Sequence, residues 1–189
     1  KRKCEWFQRR MLYDIWNTET RSGEKSLAWH LYEFLFDQGL DILIEPSSAS
    51  GEVDLISMQH HDDALIADAK IFNPEKSKGL DYIAKGFNQI YLYTLDYNKP
   101  SGYLVIFNTS EKNLKFALNS ESSFFQYIQH NNKTIFLMVI DIYPHETTAS
   151  KRGKLQCIEI CEDDLVKTII TSKVDGTGVD SVDSAVVSP

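Results

Sequence analysis

Three charged side chains occupy positions where strand sequence is otherwise apolar. Residues 51–70 read GEVDLISMQHHDDALIADAK, two apolar runs joined by a polar turn. The first run carries Asp54 among Val53, Leu55 and Ile56; the second carries Asp68 and Lys70 among Ala64, Leu65, Ile66, Ala67 and Ala69. A strand repeats every two residues, so Asp68 and Lys70 project from one face while Ala67, Ala69 and Ile71 project from the other. Charges inside a strand are costly unless they pair or bind a metal. Two carboxylates beside an ammonium suit a hard divalent cation such as Mg2+. Such an ion is held by one or two carboxylates, keeps several waters and takes its remaining ligands from substrate phosphate. A neighbouring lysine can neutralise developing phosphate charge or orient the attacking water.

The surrounding chain supplies elements able to hold these groups. Residues 4–16 contain no proline or glycine and predict an amphipathic connector helix with Phe7, Met11 and Ile15 along one stripe. A second helix is expected over residues 20–39, with Ser22 as N-cap and Gly39 as stop. Leu27, Ala28, Leu31 and Leu35 form its apolar stripe, and Glu24 lies on the same face. A carboxylate there either complements the helix N-terminus or has a partner. Glu33 sits with Trp29 and Phe36 on a different face. Residues 40–45 predict a strand ending at Glu45, a lesser candidate for the same site. The QHHDD turn of residues 59–63 reads as a solvated hairpin tip rather than a metal cluster.

After Lys70, a loop with Pro74 and Gly79 leads into an expected helix over residues 80–98. Lys85, Gln89 and Tyr93 fall at i, i+4 and i+8 on it, which stacks them on one face. Residues 103–107 (YLVIF) predict a central buried strand, residues 121–130 a short helix and residues 134–142 another apolar strand. Residues 155–161 alternate as an edge strand, with Cys157 and Cys161 as two small buried side chains rather than a metal pair. From residue 171 onward periodicity is lost, which predicts a disordered tail.

Composition bounds the function classes. The chain has 189 residues, 42% hydrophobic and 25% charged, as a soluble globular domain does. No apolar run reaches bilayer length, and no signal peptide is recognisable. Three cysteines are too few for a disulfide framework, so a reducing, intracellular setting is expected. The chain starts at Lys1 rather than methionine, as a piece of a longer polypeptide would. A net charge of −7 argues against a general nucleic-acid coating protein. The charge is unevenly spread: Lys1, Arg2, Lys3, Arg9 and Arg10 crowd the first ten residues.

Asp54, a gap of fourteen, then Asp68-Ala69-Lys70 resembles the PD-(D/E)XK phosphodiesterase superfamily, with Val53 at the position of the nominal proline. Gln89-Ile-Tyr-Leu-Tyr93, nineteen residues after Lys70, is similar to the Gln-x-x-x-Tyr element of RecB-like members. The resemblance covers residues 22–108. It implies an α/β fold with a central mixed β-sheet flanked by helices and an αβββαβ core. Residues 1–20 would then be the connector, 21–162 the nuclease-like domain and 171–189 the tail. By the same resemblance Asp54, Asp68, the Ala69 carbonyl and Glu24 would hold Mg2+, with Mn2+ substituting and Glu33 as the fallback acid. Lys70 would orient water, and Gln89, Tyr93 and Lys85 would touch DNA. The implied activity is a cytoplasmic, metal-dependent endonuclease leaving 5′-phosphate and 3′-hydroxyl ends, with DNA as partner and no membrane. An upstream regulatory or DNA-binding domain, or a second copy, would control it, and Arg9 and Arg10 could lie on DNA phosphates. Two rivals are a catalytically inactive nuclease-fold module and an unrelated α/β interaction domain with an Asp68–Lys70 ion pair.

Overall fold

A computed structural model of the protein describes residues 1–18, 23–40, 42–44, 47–48, 51–52, 55–57, 65–119, 126–147 and 149–175. A π-helical turn, Lys3–Phe7, leads into α1 (Arg9–Thr18) and α2 (Gly23–Asp37). Short strands follow: β1 (Ile42–Ile44), β2 (Ser47–Ser48), β3 (Gly51–Glu52) and β4 (Leu55–Ser57). Next come β5 (Ile66–Phe72), a 3-10 turn at Pro74–Lys76 and α3 (Leu80–Asp96). The remaining elements are β6 (Ser101–Asn108), β7 (Asn113–Ala117), β8 (Gln126–His130), β9 (Lys133–Asp141), α4 (Ala149–Arg152), β10 (Cys157–Cys161) and α5 (Glu162–Asp175).

Six strands form one mixed sheet in the order β1-β4-β5-β6-β9-β8. β5, β6 and β9 run parallel, whereas β1, β4 and β5 pair antiparallel and β8 pairs antiparallel with β9. The parallel β5–β6 step needs a crossover, which the apolar α3 provides. The succession α2, β1, β4, β5, α3, β6 matches the expected αβββαβ order, with β2 and β3 as a separate small hairpin inside it. The chain is therefore an α/β protein with a mixed sheet flanked by helices. No described helix is long and apolar enough to cross a membrane.

Side-chain alternation along the central strands builds two cores. Ile66 and Phe72 of β5, with Leu104 and Ile106 of β6, pack against Ile83, Phe87 and Ile90 of α3 and Leu165 and Ile169 of α5. On the opposite face Ala69, Ile71, Val105, Phe107 and Ile140 meet Leu12 and Trp16 of α1 and Leu27 and Ala28 of α2. β5 is thus covered on both sides, and all seven of its residues are buried. That burial is why its two charges demand an account.

Several sequence expectations are corrected. The N-terminal stripe is Leu12 and Trp16, not Phe7 and Met11, which are 84% and 42% exposed. The face that docks on α2 and β5 is the one through Leu12 and Trp16, one residue on from Met11 and Ile15, and the π-helical turn with the break at Gln8 sets Phe7 apart from α1. Residues 126–130, expected as helix, form β8, whose hairpin with β9 turns at Asn131 and Asn132 with φ of 46° and 60°. Paired left-handed residues match the right-handed twist of flanking strands, and asparagine tolerates them. β10 pairs in parallel with β7 in its own two-stranded sheet, and Cys157 and Cys161 are exposed because Ile158 and Ile160 take the inner face. The helix α5 continues through residues 171–175, where a disordered tail was expected; residues 176–189 lie outside the described ones. Gly39 does close α2, at a φ of +85° that favours glycine.

Arg9 is half-buried near Asp141, whose carboxyl burial pushes up while Arg9 partly offsets the shift. Arg10 is exposed. The turn after β5 is fixed differently: Asn73 caps it, and Glu75 accepts from Lys112 Nζ at 2.8 Å and Ser110 Oγ at 3.1 Å. The Lys112 bond leads in holding the Glu75 carboxyl below its usual range. A depressed folded pKa means stabilisation present above the unfolded Glu value, about 4.3, and lost as pH falls through the folded one. Glu75→Gln is therefore expected to lower the urea midpoint at pH 7, with the difference from the native chain vanishing in acid. A difference that persists at pH 2 would contradict this linkage.

Candidate active site

The centre of the site is the buried pair on β5. Asp68 is 1% exposed and Lys70 9%, and Lys70 Nζ lies 2.6 Å from Asp68 Oδ2. Their cross-strand neighbours on β6 are Leu104 and Ile106, so the pair is set in an apolar surface. An ion pair removed from water gains strong Coulomb attraction but pays desolvation on both partners. Stability alone rarely selects it over two hydrophobic residues.

Lys70 reaches Asp68 along a channel that α3 leaves open. A Cβ added at Gly86 would meet Lys70 Cγ at 2.9 Å, Cε at 3.2 Å and Cδ at 3.3 Å. The lysine stem therefore lies flat against a helix position where no side chain fits. Gly86 shares a helical line with Tyr82, Gln89 and Tyr93, at spacings of three and four. Gln89 Nε2 donates to Tyr93 Oη, and Tyr93 is fully buried. Lys85 is exposed and lines a cleft toward α5 with Asp81, Asp164 and Lys167. Of the three expected substrate contacts, the structure joins Gln89 with Tyr93 and sets Lys85 outward.

Glu24, on the first turn of α2, reaches the edge of β5. Its Oε2 accepts from Ile71 N–H at 2.9 Å and from Lys78 Nζ at 3.1 Å, and Tyr82 Oη donates to the carboxylate at 2.6 Å and 2.7 Å. Thr109 N–H bonds Phe72 O on the β6 side, so alternate residues Ala69 and Ile71 turn their backbone polar groups to the other edge, where Glu24 sits. Glu33 is exposed, 3.7 Å from His30 Nδ1, away from this edge. Asp54, Glu45, Ser22 and the turn of residues 59–63 lie outside the described residues.

Three residues that sequence reasoning passed over belong to the site: Gly86, Lys78 and Tyr82. A lone glycine inside a helical pattern is disfavoured by about 1 kcal/mol, and that was the available signal for Gly86. Nothing local marks Lys78 or Tyr82. Asp68 offers carboxylate oxygen, the donor type a hard cation takes, but in this structure that carboxylate is paired with Lys70. Among the described residues no three His, Cys, Asp or Glu side chains converge to hold a metal ion, and Asp54 is not one of those residues. No family model, no curated protein and no solved structure matches the chain.

Proposed function

We propose that this protein is a metal-dependent nuclease that hydrolyses DNA phosphodiester bonds at Asp68 and Lys70. The observation that carries the reading is the buried carboxylate–ammonium pair on a central strand, at a position where apolar residues would stabilise the fold as well. Asp68, with Asp54 and the Ala69 carbonyl, would hold Mg2+ or Mn2+. A bound cation of this kind polarises a phosphate and lowers the pKa of a water molecule. Lys70 orients that water and neutralises charge that develops on the phosphate. Gln89 and Tyr93 stand on the same helical line as Gly86; Tyr93, fully buried, holds the Gln89 amide, and Gln89 would position the lysine. The distinguishing experiment uses a labelled DNA duplex with Mg2+ or Mn2+. Products with 5′-phosphate and 3′-hydroxyl ends, absent in EDTA, are expected. A folded chain that shows no metal-dependent change in melting temperature and no cleavage would return Asp68–Lys70 to a plain structural ion pair.

A further inference from the structure

The resemblance makes Glu24 a metal ligand, but its surroundings describe a different task. The two oxygens of a carboxylate offer about four acceptor sites. Here they take the Ile71 N–H, the Lys78 ammonium and the Tyr82 hydroxyl, all within 3.1 Å. Lys78 is in turn fixed by Tyr82, donating to its Oη at 2.9 Å and lying 4.1 Å from its ring centroid. The donors come from three elements: β5, the loop after it, and α3. One adjoins Lys70 in the chain and one stands on the helix that packs against it. Ile71 is its chain neighbour, and Tyr82 stands one helical turn before Gly86, against which the Lys70 stem lies. Glu24 thereby ties together the strand that carries Lys70 and the helix that shapes its channel.

We propose that Glu24 is a positioning residue for Lys70, acting through Ile71, Lys78 and Tyr82, and not a group that touches metal or phosphate. The inference rests on the nuclease reading of Asp68 and Lys70 and deepens it. A clamp of charge-assisted bonds suits this role. Such bonds are shorter and roughly twice as strong as neutral ones; outer-shell partners of metal ligands typically matter about 10- to 100-fold, and the same scale is expected for a group that holds Lys70.

The test compares the native chain with Glu24→Gln and Tyr82→Phe in Mn2+-dependent DNA cleavage, alongside amide hydrogen exchange at Ile71 in Glu24→Ala. The clamp predicts that both cleavage variants lose about 10- to 100-fold in kcat. The Mn2+ concentration for half-maximal rate and KM stay unchanged, and the Ile71 amide exchanges faster. A Glu24→Gln chain that needs at least tenfold more Mn2+, beside a fully active Tyr82→Phe, would overturn the clamp and make Glu24 a ligand. Full activity in both variants would overturn it as well. A native chain that neither cleaves nor changes its melting temperature with Mn2+ would refute the nuclease reading itself. That failure is told apart from failure of the clamp because Ile71 exchange is measured without activity.

Discussion

Lys70→Met alone is expected to destabilise the fold by about 3–5 kcal/mol, because it removes the counter-charge of a carboxylate buried to 1% exposure. Asp68→Asn alone acts in the same direction, leaving an ammonium beside a neutral amide in an apolar setting. The double variant Asp68→Asn/Lys70→Met should recover much of the loss, since two neutral groups of similar volume fill the space without a desolvated charge. A double-mutant cycle in urea therefore gives a large coupling energy, which residues in contact show and distant ones do not. Its size follows from the 2.6 Å separation and the apolar neighbours Leu104 and Ile106. Single-variant losses under 0.5 kcal/mol, typical of surface positions, would mean that the pair is solvated. The expected recovery in the double variant carries the functional point. A pair that neutral residues can replace without loss of stability is what the proposed catalytic role requires.

The second large effect belongs to Gly86. On propensity alone Gly86→Ala should stabilise α3 by about 1 kcal/mol. The new Cβ, however, would stand 2.9 Å from Lys70 Cγ and 3.2 Å from Cε, so the lysine stem must shift along most of its length. Moving a near-backbone carbon such as Cγ costs more than moving a flexible chain end, and overpacking of this kind costs typically 1–3 kcal/mol. We expect no net stabilisation and a fall in cleavage of about 100-fold, the scale on which a misplacement near 1 Å acts. A steady-state assay beside a urea curve checks both. An alanine variant that is more stable and fully active would show that Lys70 does not use this channel.

These two sites differ in how far the sequence revealed them. Asp68 and Lys70 were readable because the period of a strand is local: two charges at i and i+2 in an apolar run must share a face. The helix of Gln89 and Tyr93 was readable for the same reason. The Glu24 clamp was not, since its donors lie 47, 54 and 58 residues away in sequence and meet only when α2 docks on the β5 edge. β8 is ambiguous in sequence because ESSFFQYIQH suits a helix or a strand, and the deciding signal is the Asn131–Asn132 turn after it. β7 and its parallel partner β10 form a non-local pair that no single segment announces. Cys157 and Cys161 show the limit of alternation: the period put both on one face, and only the tertiary fold made that face the outer one.

The account is tested most directly by supercoiled plasmid incubated with the native chain, Asp68→Asn or Lys70→Met, each in Mg2+ and in EDTA. The Asp68–Lys70 site predicts cutting by the native chain in Mg2+ only, with a loss of at least 100-fold in either variant while far-UV circular dichroism stays native. Cutting that survives in Asp68→Asn or in EDTA would contradict it.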